Sequence, residues 1–525
     1  MVVLHHFDGA EPLLPDLLDG HAKWRATRPA VRFEERSLTW GEFGAAAHRT
    51  ARSFLNSGVV RGDRVAVLMD NSIEMIETLF GALRAGACVV PLNTSVADAA
   101  IEAMIKDCSA VAVIASGAHI ERLQNLSLPT VRCRVAANRP STSLPSGWIT
   151  YDSWQKSGQS EVSFPAIGPD DLSNIIYSSG TTGIPKGIVH DHGRRASWAR
   201  SLALALRYDS RAIGLCSIGL YSNISWVTML CTLVVGGCIV IERGFDVEKT
   251  LNTIGRYRVT HGSFVPVIVQ RLLESRKLQA AELGSLRALM CCGSPLPLEL
   301  KKRALHEFGC DFIELYGLTE GVITTLDPED AANREMSVGL PLPGTEIRIV
   351  DEDGRVLAAN EAGEIVSRGH ITMVGYFNRP DATAESTWID SNGFPWLRTG
   401  DIGRIDENGF LYIVDRKKDM IISGGQNVYP TDIESVILDH PEVAEAAVIG
   451  IPSARWGESP YAIVVPKQKP VDPDVLETQL RDWVNQRVGK QQRVAGLRLV
   501  TQLPRNPNGK VLKRELRREF SSLAN

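Results

Sequence analysis

From Gly62 onward, short apolar runs alternate with segments whose apolar positions recur at helical spacing. Val65 to Met69 reads as a strand, Ser72 to Ala85 as an amphipathic helix with Asn71 as its cap, and Cys88 to Leu92 as the next strand. A continuous apolar run bounded by turn residues predicts a buried strand, whereas recurrence at i, i+3 and i+4 predicts a helix. The unit repeats over Ala99 to Lys106 and Val111 to Ala115, then over Trp226 to Val235 and Cys238 to Glu242. It continues through Val247 to Tyr257, His261 to Val265, Ile268 to Glu274, Leu286 to Cys291, Leu298 to Phe308 and Asp311 to Leu315. Parallel strands need long crossovers, and a helix between successive strands supplies one, so an α/β architecture with largely parallel sheets is expected. Residues 116–170 are poorer in periodicity and richer in Ser, Pro and Gly, and read as a surface excursion.

After Gly339 the pattern changes to short strands and turns, as in Glu346 to Val350, the turn Asp351 to Gly354, and Gly363 to Ser367. This predicts a small β subdomain completing a large domain over residues 1–414. Another strand-like run, Phe410 to Val414, is broken by Asp415-Arg416-Lys417-Lys418-Asp419, which reads as a solvated turn and gives a linker at 415–418. Residues 419–525 alternate helix and strand signals again and are numerous enough for a small α+β domain.

Length and composition narrow this picture. A chain of 525 residues exceeds what one core organises, in agreement with more than one domain. The net charge of −4 gives no global attraction to nucleic acid or an anionic membrane, and neither is expected as a partner. No apolar run reaches the roughly 18 residues that span a bilayer, and Met1 to Gly20 lacks the basic-then-apolar order of a signal peptide, so a cytoplasmic location is expected. Nine cysteines without a paired Cys-x-x-Cys spacing argue for reduced thiols, with Cys291 and Cys292 as small buried hydrophobes.

Against this ordinary background, one stretch stands out. Tyr177-Ser178-Ser179-Gly180-Thr181-Thr182-Gly183-Ile184-Pro185-Lys186-Gly187 follows the strand-like Leu172 to Ile176 and holds three glycines, four serine or threonine hydroxyls and one lysine. Glycines let the backbone approach an anion, amides and hydroxyls donate to its oxygens, and Lys186 adds positive charge. The spacing differs from the P-loop, where a hydroxyl directly follows the lysine; here Gly187 does. Four further stretches combine groups suited to nucleotide chemistry. Tyr316-Gly317-Leu318-Thr319-Glu320 offers an aromatic plate, a glycine, a hydroxyl and a hard carboxylate. Thr399-Gly400-Asp401, with Arg416 beyond it, offers an acceptor and a donor for hydroxyl groups. Pro504-Arg505-Asn506-Pro507-Asn508-Gly509-Lys510 carries a lysine in a proline-bounded loop, and Ser423-Gly424-Gly425-Gln426 offers a narrow backbone channel.

These five stretches, which follow the family's order along the chain, with the likeness running from about Arg25 to Lys510, resemble the signatures of the adenylate-forming enzymes. That superfamily comprises acyl-CoA synthetases, peptide-synthetase adenylation domains and beetle luciferase. The resemblance implies a large domain of doubly wound α/β sheets followed by a small, mobile C-terminal lid domain hinged at Lys418. It implies that ATP, Mg²⁺ and coenzyme A are used, and that a small-molecule carboxylic acid is converted to an acyl-adenylate and then to an acyl-CoA thioester. Ser178, Ser179, Gly180, Thr182 and Gly183 would hold phosphates, with Thr181, Lys186, Glu320 and Lys510 catalytic and with Glu320 and Thr181 at the metal. Gly293, Ser294, Pro295, Glu314, Leu315, Tyr316, Gly317 and Thr319 would surround adenine and the α-phosphate, and Asp401 and Arg416 the ribose. Gly424 and Gly425 would face the CoA thiol. Tyr221, Asn223, Trp226, Val227, Met290, Gly317 and Val322 would line the acyl pocket, with Asn223 and Trp226 pointing to a compact or ring-shaped acid, although Trp226 reads equally as packing of its own helix.

Two positions depart from the family pattern: Cys292 replaces a small residue beside adenine, and Ile218 stands where a proline is usual. His190 and His192 are not needed as bases, because a carboxylic acid is already ionised near neutral pH, and they read as packing residues. A stand-alone ligase loading a carrier protein, a luciferase-like oxygenase and a nucleotide sensor are the alternatives. A homodimer and a lysine acyltransferase or deacylase acting on Lys510 complete the expected partners.

Overall fold

The computed structural model describes residues 11–138, 144–159, 162–178, 185–424, 426–453, 455–505 and 509–520. The chain divides into two compact units, the first comprising Met1–Asn333, Pro341–Glu346 and Arg368–Thr387, and the second Arg334–Leu340, Ile347–Ser367 and Trp388–Asn525.

The first unit is built on two large sheets. One has nine strands, with Ala288–Cys291, His261–Phe264, Ile213–Cys216 and Cys238–Ile241 as parallel neighbours at its centre. The other has eight, in which Arg64–Leu68 pairs in parallel with both Cys88–Pro91 and Ala112–Ser116. A single core joins them: Val31 and Ile239 of one sheet, Val65 and Val89 of the other, and Phe43, Phe80, Trp198 and Trp226 of helices fill the same cluster. The predicted parallel α/β grammar is therefore present.

Three local features depart from or add to the pattern expected of the sequence. Residues 116–170 are not a mere excursion: Cys133–Ala137 and Ile149–Thr150 extend the eight-stranded sheet, and Tyr151–Ser157 forms a helix. These strands are short, and one carries Arg134, so no hydrophobic run announces them. Before Gly62, where no pattern was read, the helices Leu14–Trp24 and Trp40–Asn56 flank the hairpin Pro29–Phe33 and Arg36–Thr39. Ser72 and not Asn71 caps the helix Ile73–Arg84, its hydroxyl accepting from Met75 N at 3.1 Å. Asn71 instead donates to the carbonyls of Ile218 and Glu242 and accepts from Leu220 N at 2.7 Å, fixing the loop that precedes the helix Asn223–Val235.

In the second unit, Gly363–Gly369 pairs antiparallel with Pro395–Ile405, which also pairs with Leu411–Arg416. From Ile421 a five-stranded sheet centred on Gly457–Pro466 has its own cores, one under the helices Pro430–Leu438 and Pro473–Asn485 and the other under Lys513–Phe520. The charged stretch 415–419 is no solvated turn. Asp415 is buried and accepts from Thr431 N at 3.0 Å, and Asp419 is buried and accepts from Arg517 at 2.9 Å. Lys417 donates to Glu364 at 3.0 Å. The nine cysteines lie in the first unit as free thiols, all buried except the half-buried Cys310.

Candidate active site

The glycine-rich loop connects the antiparallel strands Leu172–Tyr177 and Gly187–Asp191, in which Tyr177 faces Gly187. Ser178 N donates to Lys186 O at 3.0 Å, closing the neck of the loop. Ser179, Gly180, Thr181, Thr182 and Gly183 lie outside the described residues, as does Gly425. Below the neck, Asp107 anchors the stem by accepting from Tyr177 Oη at 2.7 Å and from Arg379 at 2.8 Å.

A second hairpin carries Tyr316 to Glu320. Asp311–Gly317 pairs antiparallel with Ile323–Leu326, and its tip closes through Leu318 N to Val322 O at 3.1 Å and Gly321 N to Leu318 O at 3.1 Å. Glycine is required at 317, because a Cβ there would stand 2.6 Å from Val322 O. At Gly321 a Cβ would stand 2.4 Å from Thr372 Cα, so the tip packs directly on the segment leading to Tyr376. Beneath the hairpin, buried Lys301 donates to Glu314 at 2.8 Å. Burial nevertheless pushes the Glu314 carboxyl above its ordinary value. That side chain is thus engaged by Lys301, and Leu315 is buried in the core.

Tyr376 joins the two hairpins. The two-residue strand Gly375–Tyr376 pairs antiparallel with Gly187–Asp191, and Met373 N donates to Glu320 O at 2.8 Å. From this position Tyr376 Oη donates to Glu320 Oε1 at 2.9 Å, and Lys186 Nζ sits 4.8 Å from the centre of its ring. Burial and the Glu320 carboxylate both push the Tyr376 hydroxyl upward, so it stays a donor. Sequence reasoning missed this residue; a Gly-Tyr pair in a short strand has no composition that announces it.

Of the acyl-pocket candidates, Tyr221, Asn223, Trp226 and Val227 lie at the start of the helix Asn223–Val235. Trp226, Val227, Met290 and Val322 are buried, with Trp226 Nε1 donating to Leu220 O at 2.7 Å, whereas Asn223 and Tyr221 are half-buried. Tyr221 folds back over Gly219, and burial raises its hydroxyl pKa. Gly293 adopts φ +96 after the strand Ala288–Cys291, with Ser294 half-buried and Pro295 exposed beyond it. His190 and His192 are buried and neutral, since burial depresses both, and His192 has no hydrogen-bond partner on either ring nitrogen.

In the second unit, Asp401 and Arg416 are directly opposed residues of neighbouring strands, and Arg416 Nε meets Asp401 Oδ1 at 2.9 Å. The Thr399-Gly400-Asp401 stretch is part of a strand with Gly400 at φ +70, and Thr399 Oγ1 accepts from Asp401 N at 3.1 Å. Lys510 is half-buried in the same neighbourhood. Burial and the adjacent Arg416 push its ammonium down to about 7, against the opposing pull of Asp401. Lys418 is exposed, with Arg416, Asp419 and Arg517 as charged neighbours. Gly424 has φ +59 and lies against Trp456, where a Cβ would stand 2.7 Å from the indole.

These groups suit a polyanionic nucleotide. Among the described residues no cluster of three or more His, Cys, Asp or Glu side chains could hold a metal. One carboxylate such as Glu320 together with phosphate oxygens is a donor set that fits Mg²⁺. No helix among the described residues is long and apolar enough to cross a membrane.

Comparison with known proteins agrees with this chemistry. Residues 18–377 match the family described as AMP-binding enzyme, and residues 432–510 match the AMP-binding enzyme C-terminal domain. A long-chain-fatty-acid–CoA ligase, FadD13 of Mycobacterium tuberculosis, is 35% identical over 495 residues, covering 92% of this chain and 93% of its own. A fatty acid–[acyl-carrier-protein] ligase, ScoC of Streptomyces coeruleorubidus, is 33% identical, covering 95% of each. The structure of o-succinylbenzoate CoA synthetase from Bacillus subtilis in complex with ATP and magnesium ion superposes with a TM-score of 0.82 at 31% identity, over 95% of this chain and 99% of that one.

Proposed function

The chain belongs to the AMP-binding enzyme family and is an AMP-forming acyl-CoA synthetase; on that premise we propose how its residues divide the work. The carboxylate of the acid attacks the α-phosphorus of ATP, pyrophosphate leaves, and the CoA thiolate then displaces AMP from the acyl carbon. A carboxylate is a weak nucleophile facing a polyanion, so positioning and charge neutralisation are the means of catalysis.

Lys186 and the loop from Ser178 to Gly183 hold the β- and γ-phosphates. Glu320 and Thr181 hold Mg²⁺, which supplies charge neutralisation on the phosphates when bound. Tyr316 and the Gly293-Ser294-Pro295 turn flank adenine, Asp401 and Arg416 take the ribose hydroxyls, and Thr319 and Lys510 address the α-phosphate. Gly424 and Gly425 line the approach of the thiol, and residues 415–418 are the joint about which 419–525 turns. The independent cores beyond Ile421 support such a joint.

The observation that carries this reading is the Asp401–Arg416 pair at 2.9 Å, with Lys510 near enough for both to act on its ammonium, three groups that adenylation chemistry needs together. Pyrophosphate release across short, medium, branched and aryl acids, with and without CoA, tests it; release that yields no acyl-CoA in the presence of CoA would overturn the thioester step. The carrier-protein reading is kept alive by the similarity to ScoC, and CoA-dependent thioester formation without any carrier protein would set it aside. A cytoplasmic location, a homodimer and reversible acylation of Lys510 belong to the same proposal.

A further inference from the structure

We propose that Arg195, acting through Asn223, makes the acyl site selective for acids that carry a hydrogen-bond-accepting oxygen beyond the reacting carboxyl group. The inference rests on the acyl-CoA synthetase reading above.

The helix His192–Ala205 turns His192, Arg195, Ala196, Ala199, Leu202 and Ala203 inward, at the spacing of an apolar stripe. Arg195 thus occupies a core position, and it has no exposed surface. A buried charge is stable only when paired or hydrogen-bonded. Each partner here is neutral: Nε donates to Asn174 Oδ1 at 2.9 Å, Nη1 to Asn223 Oδ1 at 3.0 Å, and Nη2 to His190 Nδ1 at 3.0 Å. The guanidinium also lies 4.8 Å from the Trp198 ring centre and 5.2 Å from that of Trp226. No carboxylate pairs with it among the described residues, and burial alone moves its pKa, down to about 9, so it stays charged near neutrality.

The arrangement orients its neighbours. His190 accepts from Arg195 and hydrogen-bonds the Thr319 backbone, which ties the guanidinium to the hairpin tip. Asn223 opens the helix Asn223–Val235 and is half-buried. Because its oxygen faces Arg195, its amide NH₂ points away, and the cation polarises it into a stronger donor. Asn174 Nδ2, oriented by the same guanidinium, is buried without a partner. Of the other acyl-site candidates, Trp226, Val227, Met290 and Val322 are buried, and Tyr221 is a further polar side chain, half-buried. A hydrocarbon acid offers such a donor nothing, whereas a carbonyl, ether or second carboxylate oxygen satisfies it and draws on the unbalanced positive charge.

The test is the ratio of kcat/KM within matched pairs, such as 4-acetylbenzoate against 4-isopropylbenzoate and glutarate against pentanoate. The wild type is expected to favour the oxygen-bearing member of one pair by about 10- to 100-fold, the range for a hydrogen bond to a charged or charge-assisted group. Asn223→Val removes the donor, and Asn223→Asp keeps the shape but replaces the donor with an acceptor; both should bring the ratio close to one, as should Arg195→Met. The Asn223 variants leave the guanidinium in place and cover a failure of Arg195→Met to fold. A wild type that prefers the hydrocarbon members, or a ratio unchanged in both Asn223 variants, overturns the inference. No turnover of any acid by the wild type would instead sink the synthetase reading on which it rests.

Discussion

Two charged clusters of this protein are both built on strand pairing but differ in how their charges are balanced. Around Tyr376, Lys186 and Glu320 are fixed by strand register: two hairpins and a two-residue strand bring them to one ring, and backbone hydrogen bonds bind each segment to the next. Around Asp401, three cations, Arg416, Lys418 and Lys510, gather near the carboxylates of Asp401 and Asp419, and burial, with Arg416 and Lys418 adding to it, lowers the proton affinity of Lys510. In the first cluster Glu320 accepts from the Tyr376 hydroxyl and Lys186 lies against the same ring. The second holds an excess of positive charge that an arriving anion relieves. Register places charge in both; burial and crowding make it responsive in the second.

The largest effect is expected where that responsiveness is removed. Lys510→Ala should slow adenylate formation by about 10²–10³, the scale for losing one group that stabilises developing charge, while sparing CoA attack on a supplied acyl-adenylate. Equal loss of both half-reactions in single-turnover assays would erase the proposed distinction. Next comes the first cluster: Glu320→Ala should raise the Mg²⁺ concentration needed for half-maximal pyrophosphate release, and an unchanged Mg²⁺ titration would remove Glu320 from the metal.

Tyr376 separates the two contacts it makes. Tyr376→Phe loses the hydroxyl on Glu320 but keeps the ring under Lys186, and should shift the Mg²⁺ requirement by about tenfold or less, the worth of one hydrogen bond to a carboxylate. Tyr376→Leu should in addition raise KM for ATP; identical behaviour of the two variants would show that the ring contributes nothing.

The smallest and most diagnostic signal is a proton. With its pKa lowered to about 7, Lys510 is largely neutral at about pH 8 in the folded chain and charged in the unfolded one. Its contribution to stability therefore rises with pH between about 7 and the ordinary lysine value of 10.5. ATP should restore the charge, so calorimetric titration in buffers of differing ionisation enthalpy should show proton uptake at about pH 8 that disappears in Lys510→Ala.

How much of this was legible in the sequence follows from the same contrast. The loop at Tyr177, the pentapeptide at Tyr316 and the lysine at 510 stand out in the sequence because the chemistry expected of them needs several residue types side by side. Pairs made by folding could not. Asp401 and Arg416 resembled a familiar couple, but that they face each other in register is a property of two strands. Tyr376 is meaningful only through its strand partner. Arg195 hid in the polar-looking run Gly193-Arg194-Arg195, and only its spacing to Ala199 and Leu202 shows that it points inward. The strands between 116 and 170 were lost because they are too short to form a pattern.

The placement of cysteine and tryptophan has a practical consequence. Every cysteine belongs to the first unit, and burial raises the thiol pKa of all nine, so native labelling by a thiol reagent is slow there. Trp388, Trp396, Trp456 and Trp483 belong to the second, which has no thiol at all. Sulfhydryl reactivity is thus a clock for the opening of one unit alone, and set beside a measure of global unfolding it asks whether the two parts come apart together or in turn.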